Sequence, residues 1–196
     1  MKKIRLTQRL TQMLVDHGVI PEENRELYQY GFDQGAFQLL NWLITIPILL
    51  LFGMFWEGMI FLICYRMLRV NAGGAHAKTK LRCTFYSTLL IIVCLLIIRY
   101  FPFTFFTELG ILICSCCVIL AYAPVEDANK PLDFAELHHF GKRARLILLF
   151  EVIVWAGCSV FCCMISPCII TAVATLAVML VFGKIKNLKI APWNAA

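Results

Sequence analysis

The chain has 196 residues, 61% of them hydrophobic and 15% charged, with a mean hydropathy of +0.79 and a formal net charge of +6. Apolar blocks this numerous exclude a soluble domain and indicate a polytopic membrane protein; they are also too many and too central to be a secretory signal, so no cleaved targeting segment is expected. The basic residues sit in short clusters beside apolar stretches, which argues for membrane orientation and against nucleic-acid binding.

Residues 4 to 15 alternate Leu6, Leu10, Met13 and Leu14 with Lys3, Arg5, Arg9 and Gln12 at helical spacing. This predicts a basic amphipathic helix lying in the headgroup layer, ended by His17-Gly18. Pro21 followed by Glu22 and Glu23 starts the next helix, because proline suits a first turn and acids suit the positive end of the dipole. That helix runs into a first span at about Gly35 to Phe52, with Pro47 as a kink, and Gln34, Gln38 and Asn41 form a polar stripe at its entry.

A short second span covers residues 54 to 70 and ends with Arg66 and Arg69. Spans one and two fall short of the ~20 residues each that full crossings require, so one of them is expected to be short, tilted or re-entrant. After a polar segment from Gly73 to Cys83, the third span is Thr84 to Ile98, Arg99 to Glu108 is an aromatic turn, and the fourth is Leu109 to Tyr122. A long polar loop, 123–145, precedes a fifth span at Leu146 to Met164 and a sixth at Cys168 to Phe182, and the tail from Lys184 is polar.

The expected architecture is therefore all-α, with about six transmembrane helices, one or two of them short or re-entrant, plus an N-terminal interfacial helix. Residues 1–196 read as one integral membrane domain: 1–20 the interfacial helix, 21–183 the bundle with polar loops at 70–83 and 123–145, and 184–196 a tail. Six crossings from a cytoplasmic N-terminus leave every Lys and Arg except Arg99 inside. Both termini and both polar loops are then cytoplasmic.

The Gly73 to Cys83 segment is the one polar stretch that holds both a nucleophile and a base. A neighbouring imidazole that takes the proton of a thiol leaves a competent thiolate, so His76 and Cys83 are a candidate pair. On one continuous helix they would stack about 10 Å apart at ~1.5 Å per residue. The backbone must therefore break between them, and Gly73-Gly74 supplies the freedom. His76 is expected on a loop and Cys83 near the first turn of the next helix, where the dipole together with Lys78, Lys80 and Arg82 would favour thiolate.

Of ten cysteines, the other nine lie within or at the ends of apolar blocks and serve as small hydrophobes; no metal site and no cofactor is expected. His138-His139 read as solvated loop residues. Glu151, more than a turn inside the fifth span, is an ionisable group of the kind that marks function in membranes, although a structural pairing is equally open. Asp127, Asn129 and Asp133 are further groups able to orient an imidazole.

These residues resemble a known family. Gly73-Gly74-Ala75-His76-Ala77 followed by Cys83, with Arg69 seven residues before the histidine, resembles the accessory gene regulator protein B (AgrB) family of bacterial membrane endopeptidases. Tyr28-x-Tyr30-Gly31, Ala123-Pro124-Val125 and Lys130-Pro131 support the resemblance. It implies an enzyme that trims the C-terminal part of a short signalling propeptide of the AgrD type and closes the remainder into a thiolactone or lactone. Carried over by residue, it makes Cys83 the nucleophile and His76 the base, with Arg69 and Gly74 needed for the site. Lys130 and Arg69 would hold the acidic end of the substrate, while Gln34, Glu151 and Asn129 stand as conjectural third members. Expected partners are the propeptide, membrane lipids and a second copy in a homodimer, with no nucleic acid. A small peptide transporter or exporter and a thiol-sensing membrane protein are the alternatives, distinguished by transport without cleavage and by uniformly sluggish thiols respectively.

Overall fold

The computed structural model describes residues 6–74, 79–125, 133–161 and 164–190. It divides into two compact units, residues 1–48 and 49–196.

In the first unit, α1 (Leu6–Asp16) ends at Gly18, whose φ of +69° is the left-handed conformation that closes helices at low cost in glycine. Pro21 leads into a single 3-10 turn, Glu22–Asn24, which opens α2 (Arg25–Leu51). The Thr7 hydroxyl donates to Asp33 Oδ1 at 2.6 Å, and Thr11 is fully buried, so α1 lies along the first turns of α2 by its threonine side. Its Leu6, Leu10 and Met13 are left exposed.

The second unit begins with the last turn of α2. Gly53, with φ +64°, turns the chain into α3 (Phe55–Ala72), and Gly58 comes so close to the Leu49 side chain that any Cβ there would overlap it. Gly58, Phe61, Leu68 and Ala72 are the buried positions of α3, spaced by three, seven and four residues, which is one stripe of a helix. Then follow α4 (Lys80–Tyr100), α5 (Phe105–Tyr122), α6 (Phe134–Phe161) and α7 (Ser166–Ile190). The last of these is the centre of the unit, touching α3, α4, α5 and α6. Cys168, Ile169, Ile170, Ala172, Val173, Leu176, Ala177 and Leu180 are all buried along it. Small residues among the branched ones let neighbouring backbones approach, as membrane bundles require.

Five helices are long and apolar enough to cross a membrane among the described residues: α2 with its leading turn, α4, α5, α6 and α7. The remaining long one, α3, has 18 residues and carries Glu57, Arg66 and Arg69. At ~1.5 Å per residue it reaches about 27 Å, slightly less than the ~30 Å hydrocarbon core. The chain is thus an all-α polytopic membrane protein with five candidate spans among its described residues, and α3 falls short of the length and apolarity of a sixth.

Three helices extend beyond the expected spans. α6 begins at Phe134, inside the stretch read as loop 123–145, and α7 runs to Ile190, well past Phe182. α5 begins at Phe105, which shortens the aromatic turn to Phe101 to Thr104. The reason is physical: hydropathy marks the lipid-facing part of a helix, whereas backbone hydrogen bonding continues through polar turns until a cap or a proline stops it.

Candidate active site

Four chain segments meet at one end of the second unit: the end of α3, the segment after α5, the early turns of α6 and the later part of α7. α3 stops at Ala72 because two successive glycines take positive φ, Gly73 at +72° and Gly74 at +121°. The Gly73 N–H still donates to the Arg69 carbonyl at 3.1 Å, closing the final turn. Both positions are also too crowded for a side chain. A Cβ on Gly73 would collide with the Val125 carbonyl oxygen, and one on Gly74 would collide with the Arg69 guanidinium and stand 3.3 Å from the Met179 carbonyl oxygen of α7.

Arg69 reaches forward along the helix, and its Nη1 donates to the Gly73 carbonyl at 2.8 Å. On the other side, the Val125 N–H donates to the Ala72 carbonyl at 2.9 Å, and Gly73 and Val125 form an isolated parallel β-bridge. Pro124 rests on α6, its Cδ 3.3 Å from where a Cβ of Gly141 would be.

α4 starts at Lys80, and Thr79 is its N-cap, extended at φ −130°, with the hydroxyl accepting from the Arg82 N–H at 3.4 Å. The Cys83 N–H donates to the Thr79 carbonyl at 3.0 Å. Cys83 therefore lies in the first turn of α4, half-buried, at the positive end of the helix dipole. α3 and α4 are separate helices, so the backbone does break between Ala72 and Lys80.

The other expected site residues are distributed unevenly. His76, Asn129 and Lys130 lie outside the described residues. Gln34 is exposed on α2 in the first unit. Glu151 is on α6, ten residues beyond Gly141, which is about 15 Å deeper along the helix. It is 2% exposed, near Cys64 of α3, and neither carboxyl oxygen has a hydrogen-bond partner among the described residues. His138 and His139 are exposed on the first turns of α6. Arg69 and Gly74 are thus directly in contact at the end of α3, whereas Glu151 is deep in the bundle.

Two residues were not anticipated. Tyr65, one turn before Arg69, stacks on Phe61 with ring centroids 5.8 Å apart. Its only sequence signal is the spacing to Arg69. Glu108, 4% exposed, accepts from Trp155 Nε1 at 2.7 Å and from the Ser166 hydroxyl at 2.9 Å, joining α5, α6 and α7 at the opposite end. An acid beside a span start, with an indole deep in the next span, was the available clue.

A membrane bundle whose glycine-terminated helix is followed by a cysteine at the head of the next one defines a class, the polytopic membrane protein with a thiol at its polar edge. The chain belongs to the accessory gene regulator B family, whose profile matches residues 7–185. Among its relatives, an AgrB-like protein 2 of Clostridium perfringens strain 13 is 28% identical over 138 residues, 65% of this chain and 63% of the relative. An AgrB-like protein of C. perfringens strain SM101 is 30% identical over 135 residues, again 65% and 63%. One from Clostridium acetobutylicum is 30% identical over 97 residues, 50% of this chain and 46% of the relative. The chain thus spans 63% of the length of the first two relatives. No solved structure matches it.

Proposed function

We propose that this protein is a membrane cysteine endopeptidase that cuts the C-terminal part from a short AgrD-like signalling propeptide and promotes closure of the remainder into a thiolactone or lactone. The observation that carries the reading is the seat of Cys83: first turn of α4, directly after a glycine-ended helix whose terminus Arg69 holds. Family membership supplies the substrate class.

In this reading His76 removes the Cys83 thiol proton, and the sulfur attacks the scissile carbonyl carbon. The C–N bond breaks, the imidazolium proton passes to the leaving amine, and a thioester joins the peptide to Cys83. A Cys or Ser side chain of the bound peptide then attacks the thioester carbonyl, closing the ring and returning the Cys83 thiol. Hydrolysis competes with ring closure, so exclusion of water favours the cyclic product. Lys130 and Arg69 contribute positive charge for the acidic end of the substrate. The positive-inside distribution supports a site and termini on the cytoplasmic side, where thiols stay reduced.

Co-expression of the protein with a propeptide encoded beside its gene tests this. Cys83→Ala and His76→Ala are expected to abolish cleavage and Cys83→Ser to reduce it to a trace. Cleavage that survives both alanine changes overturns the reading.

A further inference from the structure

We infer that Ala123 to Val125 is a positioning strap for the glycine-ended terminus of α3, with Val125 as its positioning residue. The inference rests on the peptidase reading for its catalytic consequence, but the strap itself is a matter of geometry.

The connection from α3 to α4 has two fixed ends. The far end is Thr79, capping α4 four residues before Cys83. The near end is Gly73-Gly74, where a glycine-terminated helix has no rigidity of its own, since two consecutive positive-φ residues are easily displaced. Two interactions hold that end in place. One comes from within α3, the Arg69 guanidinium on the Gly73 carbonyl. The other comes from a segment more than 50 positions later in sequence, the Val125 N–H on the Ala72 carbonyl at 2.9 Å, with Gly73 and Val125 in a parallel bridge. Val125 is itself fixed: its side chain is 6% exposed and belongs to the core cluster, and Pro124 before it rests on the bare backbone of Gly141. The α5 to α6 connection thus transmits the position of the bundle core to the residue pair from which the His76 segment departs.

Arrangement of this kind divides labour within one residue. The Val125 side chain packs the core, whereas its N–H serves the loop. A catalytic base needs placement to a few tenths of an ångström relative to its nucleophile, and misplacement costs rate more than binding. The strap therefore governs turnover, and substrate affinity is largely independent of it.

Full-length protein in proteoliposomes provides the test, using Val125→Pro, which deletes the N–H, Gly73→Ala, which drives a Cβ into the Val125 carbonyl, and Val125→Ile, which keeps the N–H and a branched apolar side chain one methylene larger. Propeptide cleavage gives kcat and KM, amide hydrogen exchange reads residues 72–79, and a thermal midpoint reads the bundle. Val125→Pro and Gly73→Ala are expected to lower kcat at least tenfold with KM within about twofold and to accelerate exchange over 72–79; the midpoint stays near wild type in Gly73→Ala and falls modestly in Val125→Pro, which also loses the packing of the buried valine. Val125→Ile should match wild type in every readout. Unchanged exchange over 72–79 in Val125→Pro overturns the strap, as does a kcat loss that tracks only a collapsed midpoint. If the wild-type protein cleaves no propeptide while exchange still accelerates in both variants, the strap stands and the peptidase reading falls.

Discussion

The Arg69 guanidinium donates to the carbonyl of Gly73 at 2.8 Å, and the α-carbon of Gly74 lies directly against that same guanidinium. The arginine and the glycine thus form one unit. A methyl group at position 74 would meet the guanidinium, which is the movable end of a flexible side chain, so Gly74→Ala acts chiefly by expelling Arg69 from its carbonyl. It also forces alanine into φ +121°, a strain of about 1–3 kcal/mol. The two changes should therefore be strongly non-additive. Arg69→Ala and Gly74→Ala are each expected to lower processing by one to two orders of magnitude, and the double variant to be little worse than either, with a coupling of about 0.5–3 kcal/mol. Independent, additive losses in processing rate would separate the two residues. Arg69→Lys should recover little, because an ammonium lacks the planar fork that reaches Gly73 while facing a second partner.

How far the sequence carried the structure depended on what each residue type constrains. Gly73-Gly74 announced a helix break, and the break is found between Ala72 and Lys80, because two glycines take the positive φ that ends a helix at no steric cost. The shortness of α3 was visible as too few residues before Gly73 for two full crossings. Contacts between distant segments were not visible. Nothing in Ala123-Pro124-Val125 indicates that its backbone pairs with Ala72 and Gly73, since a main-chain hydrogen bond leaves no mark on side-chain chemistry. The start of α6 at Phe134 was hidden for a related reason: a polar amphipathic turn and a polar loop have similar composition, and only the hydrogen bonding distinguishes them.

At the opposite end of the bundle, the Glu108 carboxyl holds three helices through Trp155 and Ser166. Hydrogen bonds between buried groups in membrane proteins contribute about 0.6–2 kcal/mol each. Leaving a partner unsatisfied costs about 1–3 kcal/mol. Trp155→Phe keeps an aromatic ring facing Phe105 but removes the donor together with part of the buried indole volume. The detergent-solubilised variant should lose at least about 1–2 kcal/mol in unfolding free energy. Glu108→Leu deletes both acceptors and should exceed Ser166→Ala, which removes one donor. Processing should change only through stability, since the tie lies far from Cys83; a large kcat loss at unchanged thermal midpoint would contradict this.

Glu151 poses the reverse case, a buried carboxyl with no hydrogen-bond partner among the described residues. Holding such a group inside a bundle is costly, and an apolar replacement of similar volume removes that cost. Glu151→Met is therefore expected to raise the thermal midpoint of the purified protein. Ionisable residues inside membrane spans are retained mainly for function, so the same variant should process propeptide more slowly. A variant that is both more stable and fully active would remove Glu151 from the candidate site.

The last prediction concerns α1. Leu6, Leu10 and Met13 recur at helical spacing and are 75%, 44% and 57% exposed, while Thr7 and Thr11 occupy the side turned to α2. Arg9 is exposed beside the apolar stripe, and Lys2, Lys3 and Arg5 precede it in sequence. An apolar face flanked by cations is suited to the surface of an anionic bilayer, with leucine in the acyl boundary and arginine among the headgroups. Each basic residue near such a surface contributes about 1 kcal/mol. In full-length protein reconstituted into nanodiscs, α1 amides should exchange more slowly with phosphatidylglycerol present than with phosphatidylcholine alone. Arg9→Gln should remove part of that difference, and high salt should remove most of it, because the attraction is screened beyond about one Debye length. Leu10→Asn should speed exchange in both lipids, as it removes apolar contact irrespective of headgroup. Protection of α1 that ignores lipid charge but rises with protein density would assign this face to a second copy of the chain instead of the membrane.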